Sequence, residues 1–196
     1  MAVAGRVKSL AVALTVALGA SLAAGAEGGP APAHGETPAA REQARLCERK
    51  NLEEGLAACR AALAMGIGPE RRGAVREMLA KHLVALERWD ELAELLRESV
   101  RLDPTRAAAW HRLGLTLLFA LDEPAEATGA LEEAVRLAPG DAPVRVGLAL
   151  ALHAAGRAKE AAAAFEEALH IDPAVLDGRP AARAAMEAAR RGEPWP

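Results

Sequence analysis

Aromatic residues are scarce in this chain of 196 residues. Tyrosine is absent, and tryptophan and phenylalanine together supply only 3% of the sequence, whereas we count 50 alanines. Strands of sandwiches and barrels rely on aromatic and β-branched side chains, while alanine has the highest helix propensity of all residues. The composition therefore argues against a β-sandwich or barrel and predicts closely packed helices.

The chain also lacks an excess of positive charge. It has 24 basic and 27 acidic residues, a net charge of −3, and its basic clusters are isolated pairs such as Arg49-Lys50, Arg71-Arg72 and Arg190-Arg191. Binding to a nucleic-acid backbone needs a concentrated positive field. We therefore expect no nucleic-acid partner.

Side chains that carry out catalysis are few. Beyond residue 26 the only serine is Ser99, which has no G-x-S-x-G context, and Gly66-Ile67-Gly68 leads into proline rather than the Gly-Lys pair of a phosphate loop. The five histidines never form an i, i+4 pair that could begin a metal site; they are His34, His82, His111, His153 and His170. The sequence therefore predicts a protein that is not an enzyme and needs no cofactor or metal.

The first 26 residues have the pattern of an export signal. Arg6 and Lys8 precede an uncharged, apolar segment, Ser9–Ala26, that ends in small residues. This pattern predicts a bacterial signal peptide cleaved after Ala26, and hence a periplasmic or secreted protein. The alternative is an uncleaved anchor, for which about 20 apolar residues suffice and this segment is slightly short; it would hold the chain at the inner membrane, facing the periplasm. Membrane contact is expected only in that case.

Residues 27–38 read EGGPAPAHGETP and show no apolar periodicity. Such a Gly/Pro-rich composition predicts a flexible spacer. From residue 39 to about residue 191, apolar residues recur at steps of three and four, which is typical of amphipathic helices.

Prolines divide the helical part at a regular interval. Pro104 and Pro139 are 35 residues apart, and Pro139 and Pro173 are 34 apart, so the chain is repetitive. Three sets of positions recur in phase: a small residue five before each proline (Ser99, Ala134, Ala168), a large apolar residue eight before it (Leu96, Leu131, Phe165), and a leucine followed by a small residue in the preceding helix (Leu79-Ala80, Leu113-Gly114, Leu148-Ala149).

In these positions the sequence resembles the tetratricopeptide repeat (TPR) family. The resemblance implies an all-α fold, a right-handed superhelical array of helix-turn-helix repeats with a C-terminal capping helix. The repeats fall at 73–106, 107–141 and 142–175, after a degenerate N-terminal repeat at 39–72. Residues 176–196 form the capping helix, expected at Pro180–Arg191, and a tail in which Trp195 either folds back onto the end helix or is a loose docking element.

Small residues allow the two helices of a repeat to approach closely. Gly114 and Ala127 are predicted to form such a contact, as are Ala149 and Ala161. Trp110 occupies the large first position of its repeat, and we expect it in the core rather than in contact with a ligand.

The two cysteines, Cys47 and Cys59, are twelve residues apart on either side of a predicted turn. They would therefore stand at the same height on two antiparallel helices. In an oxidising compartment this favours a disulfide that pins the degenerate repeat. The alternative is two buried free thiols.

The TPR resemblance also implies a binding surface. In the family the ligand-facing positions are the second, fifth, ninth and twelfth of each repeat, on the concave face. In this chain they are Ala74, Glu77, Lys81 and Val84; Ala108, His111, Leu115 and Leu118; and Pro143, Val146, Leu150 and His153. The face would be apolar in its middle, with Lys81, His111, His153 and the adjacent Arg112 as donors at the margin. Alternatively, these residues only complete the packing of the array.

We thus expect a non-catalytic scaffold or adaptor of the bacterial cell envelope that binds a protein or peptide through this concave face. The Lys/Asn clamp of chaperone-binding members is missing, because these helices contain no asparagine. The alternative function is a membrane-tethered structural subunit of an envelope complex, with the N-terminal helix uncleaved.

Overall fold

The computed structural model describes residues 36–48 and 52–195. The predicted signal peptide at 1–26 and most of the predicted spacer lie outside these ranges. The described part consists of helices joined by short turns, without a strand, so the prediction of an all-α helical repeat array is confirmed. The helices are α1 (Pro38–Cys47), α2 (Leu52–Ala64), α3 (Pro69–Ala85), α4 (Trp89–Leu102), α5 (Ala107–Phe119), α6 (Pro124–Leu137), α7 (Ala142–Ala154), α8 (Ala158–Ile171) and α9 (Pro180–Arg191). None of these helices has the length and apolar character needed to cross a membrane.

A proline stands at the first or second position of five of these helices, because a proline in the first turn has no amide that the helix needs. Two of the five also have a side-chain cap: Thr37 accepts a hydrogen bond from the Ala40 amide at 3.1 Å, and Asp141 accepts one from the Val144 amide at 3.2 Å. At Pro69 the structure differs from the predicted repeat boundary. It starts α3 four residues before Gly73, where the repeat was expected to begin.

The first of two units spans the described residues up to Asp103 and contains α1 to α4. Each helix packs against the next, and α1 also packs against α3. A disulfide between Cys47 and Cys59 joins α1 to α2, and both cysteines are buried. Gly55 of α2 faces the buried His82 of α3, whose Nε2 atom would lie only 2.0 Å from an added Cβ. Glycine at this position therefore lets α2 and α3 approach each other.

The second unit spans the described residues from Pro104 onward and contains α5 to α9. Successive helices pack together, and α7 also contacts both α5 and α9. Leu131 of α6 is fully buried and faces two glycines. A Cβ added to Gly114 of α5 would lie 2.4 Å from the Leu131 Cγ atom, and one added to Gly147 of α7 would lie 3.1 Å from Cδ2. The partner that makes Gly114 necessary is thus Leu131, one turn beyond the expected Ala127.

The core of the last hairpin surrounds Phe165, which has no exposed surface. Small residues of α7 and α8 line it, and α9 adds Ala182, Ala185, Met186 and Ala189. These residues recur at three- and four-residue steps, so they lie along one side of α9. Helix α9 therefore covers the apolar side of the last hairpin.

Equivalent positions of two repeats make equivalent polar contacts. The Trp110 indole donates to the Pro104 carbonyl at 2.9 Å, and the Arg145 guanidinium donates to the Pro139 carbonyl at 2.8 Å, each bond reaching six residues back. Trp110 is partly exposed, which differs from the expected core position. Its N–H needs an acceptor, and the carbonyl that accepts belongs to Pro104 in an exposed turn.

Candidate functional site

In the first unit, the predicted face consists of Glu77 and Lys81 on α3. Glu77 is partly exposed and Lys81 is exposed. Their spacing of four residues puts them on the same side of the helix, one turn apart. This side of α3 therefore presents a carboxylate and an ammonium group, about one turn apart, to any ligand.

In the second unit, α5 and α7 supply the other predicted positions. His111 and Arg112 of α5 and Leu150 of α7 are partly exposed. Ala108 and Pro143 are exposed. The three other apolar positions are buried, since Leu115 is 8%, Leu118 4% and Val146 3% exposed. This burial differs from the expectation of an open apolar groove.

The burial of Val146 has a clear cause. Val146 belongs to the core cluster that contains Phe165 of α8 and Met186 of α9. Because α9 packs against both α7 and α8, this side of α7 is covered by the chain itself. Leu150 packs at the edge of the same cluster and keeps part of its surface accessible.

His153 is covered by the C-terminal tail and is only 1% exposed. Its Nε2 atom lies 2.9 Å from the Glu193 carbonyl oxygen, and its ring meets the Trp195 ring edge to face, with centroids 5.4 Å apart. The structure shows the tail folded back, but its ring contact is with His153 of α7 rather than with the end helix. Sequence reasoning missed that His153 is its partner, because no local pattern links residues about 40 apart.

The ring of His111 lies against α7, with Nε2 3.3 Å from the position of a Cβ added to Gly147. Burial lowers the pKa of His111, the Asp141 carboxylate opposes this effect, and the Arg179 guanidinium adds to it. A lowered pKa favours the neutral imidazole, which has one donor and one acceptor nitrogen. His111 can therefore hydrogen-bond to either kind of group in a ligand.

The site offers contacts rather than reactive groups. Within the described ranges, no cluster of three or more His, Cys, Asp or Glu side chains is arranged to hold a metal ion. The two cysteines are bonded to each other. In the first unit the accessible predicted groups are a carboxylate and an ammonium group, and in the second unit they are an imidazole, a guanidinium and a leucine side chain.

Comparison with known families identifies the class. Two tetratricopeptide repeat models match the chain, one over residues 77–142 and the other over 118–189, and together they cover more than half of it. The chain therefore belongs to the tetratricopeptide repeat family. The repeats make it a protein–protein interaction scaffold.

Solved structures show the same fold. The protein YrrB, described as a TPR protein with an unusual peptide-binding site, is 21% identical over 80% of this chain and 76% of its own, with a TM-score of 0.61. The MamA protein is 23% identical over 79% of this chain and 82% of its own, with a TM-score of 0.65. A thermophilic TPR protein of Thermus thermophilus is 25% identical over 76% of this chain and 78% of its own, with a TM-score of 0.54. The search of curated proteins finds no match.

Proposed function

We propose that this scaffold is non-catalytic and holds a peptide segment or partner protein of the bacterial cell envelope through the accessible side of its first helices. The observation that carries the proposal is that α5 and α7 of one unit leave His111, Arg112 and Leu150 partly exposed. An extended peptide presents main-chain carbonyls and amides together with apolar side chains. A face with hydrogen-bonding groups beside one leucine is complementary to that mixture.

On α3, Glu77 and Lys81 add charge of both signs at the matching repeat positions. Charges at the margin of an interface contribute mainly to specificity and to the rate of association. Reversing the charge of the exposed Lys81 should therefore reject a partner without disturbing the core of the first unit.

The test is a charge-reversal pair with a matched control. Lys81→Glu with His111→Glu changes the proposed face, and Lys159→Glu with His170→Glu makes the same two changes at exposed positions of α8. Partners are cross-linked in envelope extract and quantified by mass spectrometry. We expect the first variant to lose at least about 90% of a partner that the control retains, consistent with a few charge-pair contacts. Retention of every partner by a first variant with unchanged helical CD would refute the proposed face.

We further propose that the chain is exported and loses residues 1–26. Arg6 and Lys8 before the apolar segment Ser9–Ala26 support this, and so does the Cys47–Cys59 disulfide, because disulfides persist mainly in oxidising compartments. N-terminal sequencing of the protein from fractionated cells tests it. A start at Glu27 in the periplasmic or secreted fraction is expected, and full-length protein in the cytosol is the contrary result.

A second candidate function is a structural subunit tethered to the membrane. The same uncharged segment, Ser9–Ala26, favours it, since it approaches the length of a membrane span. An intact Met1 terminus in the membrane fraction would select this function over the soluble adaptor.

A further inference from the structure

The C-terminal tail is directed back onto the second unit by the way α9 ends. Gly192 has a φ of 68°, a left-handed conformation that glycine adopts without strain. The Glu193 amide then donates to the Ala188 carbonyl at 2.9 Å, and the Arg191 guanidinium pairs with the Glu193 carboxylate at 2.7 Å. The chain leaves the helix toward the C-terminal end of α7.

At that end of α7, His153 receives the tail through two kinds of contact. A carbonyl oxygen can only accept, so the His153 Nε2 atom carries the proton and donates it to the Glu193 oxygen 2.9 Å away. The Trp195 indole packs edge to face on the same imidazole, at an interplanar angle of 80°, and against the core cluster around Phe165. The Nδ1 atom of His153 is buried and has no hydrogen-bond partner.

The indole of Trp195 is the one side chain of the tail that makes these two contacts; the other contact uses a main-chain carbonyl. The Glu193 carboxylate pairs with Arg191 of α9, and only its main-chain carbonyl reaches α7. Pro194, between the two contacting residues, restricts the backbone and so lowers the entropy lost when the segment is ordered. Any extended segment with the sequence X-Pro-Trp, in which the main-chain carbonyl of X is available to accept a hydrogen bond, presents the same groups.

We propose that the C-terminal end of α7 is a docking site for an extended peptide segment bearing a tryptophan next to a proline, and that residues 193–195 are its intramolecular occupant. His153 binds the main-chain carbonyl of such a segment, and the ring of His153 with the core beside it binds the indole. This proposal deepens the peptide-binding function and rests on it.

The tether of the tail adds to the contacts that hold it. A segment tethered by a short linker has an effective concentration in the millimolar range, which a free segment must match to compete. A partner segment displaces it only when the partner is abundant or makes further contacts along the array. The tail therefore sets a threshold for binding.

The experiment measures fluorescence anisotropy of a labelled synthetic peptide with the sequence of residues 191–196, Arg-Gly-Glu-Pro-Trp-Pro. It compares the intact chain with a chain that ends at Gly192 and with the full-length Trp195→Ala variant. We expect the chain ending at Gly192 to bind the peptide at least about tenfold more tightly than the intact chain, because the competing tail has been removed. The Trp195→Ala chain should fall between them.

Specificity is tested in the chain that ends at Gly192. His153→Ala should weaken the peptide at least about tenfold, while His170→Ala, an exposed histidine of α8, should leave binding unchanged. Where His153→Ala loses its helical CD, a peptide with alanine in place of tryptophan decides instead, since it is tested on an unmodified site. Equal binding of the two peptides to the chain ending at Gly192, or no binding of either, overturns the proposal.

This outcome is separable from the proposed function. The peptide assay uses purified protein and no envelope partner, and Lys81→Glu with His111→Glu does not alter the groups that hold the tail. If the peptide does not bind but Lys81→Glu with His111→Glu still loses its partners, only the docking site at α7 is rejected. If the peptide binds but Lys81→Glu with His111→Glu retains all its partners, only the proposed face around His111 is rejected.

Discussion

Individual glycines and leucines set how closely the helices of the second unit approach. Leu131 is fully buried and faces Gly114 on α5 and Gly147 on α7. The sequence identified Gly114 as a small contact position, because the leucine-small pair recurs in each repeat. It did not identify Leu131 as the opposing side chain, because that depends on how α6 is rotated against α5.

We predict opposite effects for two Gly→Ala substitutions. Gly114→Ala should destabilise the chain, because an added Cβ would lie 2.4 Å from the Leu131 Cγ atom and overpacking costs about 1–3 kcal/mol. Gly129→Ala, on the exposed side of α6 with nothing within 4 Å, should stabilise it by about 0.5–1 kcal/mol through helix propensity. Urea denaturation measures both. A stabilised Gly114→Ala variant would show that Leu131 moves aside freely.

His111 should make the stability of the fold depend on pH. Its pKa is lowered by burial in the folded chain, so the unfolded chain binds the proton more readily. Above its ordinary pKa of about 6.5, His111 therefore makes its full contribution to the free energy of unfolding. That contribution falls as the pH drops from there toward the lowered pKa of His111 in the folded chain.

We expect His111→Gln to reduce that acid-side loss of stability, measured as the free energy of unfolding in urea between pH 7.5 and 5. His170→Gln, an exposed position on α8, is the control for removing one imidazole. A His111→Gln variant that loses as much stability on acidification as the parent would contradict the assignment.

At the scale of the elements, the terminal helix α9 completes the second unit. One side of it, with Ala182, Ala185, Met186 and Ala189, enters the core cluster of the last hairpin. An ion pair between Arg190 and Glu166, at 3.5 Å and exposed on both sides, adds little to this attachment. Apolar burial is thus what holds α9 in place.

Two substitutions that introduce the same carboxylate should distinguish the buried side of α9 from its exposed side. Met186→Asp places an unpaired charge in the core and should destabilise the protein by at least about 3 kcal/mol. Ala184→Asp lies on the exposed side and should cost only about 0.5 kcal/mol in helix propensity. Urea unfolding followed by CD compares them, with dye binding as a measure of exposed core. Similar losses for the two variants would mean that α9 is not docked as described.

At the scale of the whole molecule, the chain divides into two units, and the disulfide lies within the first. By the chain-entropy model, a cross-link that closes a loop of this size stabilises the fold by about 2–3 kcal/mol. In a repeat array, stability is contributed largely by neighbouring elements, so a local loss need not spread through the chain.

We therefore predict that the paired variant Cys47→Ser with Cys59→Ser weakens residues 36–103 selectively. Hydrogen exchange followed by mass spectrometry should show faster exchange in peptides from α1 to α3 and little change in peptides from α7 to α9. Thiol counting on unfolded, unreduced parent protein provides the control, since a bonded pair leaves no reactive thiol. Equal acceleration in both units would contradict a local role for the disulfide.

The helices and their order could be predicted because their signals are local. Pro180 begins α9 where the sequence predicts the capping helix, since a proline in the first turn and the three-to-four-residue apolar period act within one segment. The start of α3 at Pro69 was missed, because the repeat pattern was aligned on Gly73 while the local proline signal acted earlier. At this position the local backbone chemistry, rather than the family pattern, sets the start of the helix.

By itself the sequence determined the repeat period, the helical class and the small positions between helices, because each depends on residues near one another in the chain. Tertiary structure alone decided which of the predicted binding residues remain accessible. Val146 is buried because α9 packs over it, and His153 is buried because the tail, 40 residues further along the chain, covers it. Exposure is a property of contacts between distant segments, so it emerged only when the helices and the tail were packed together.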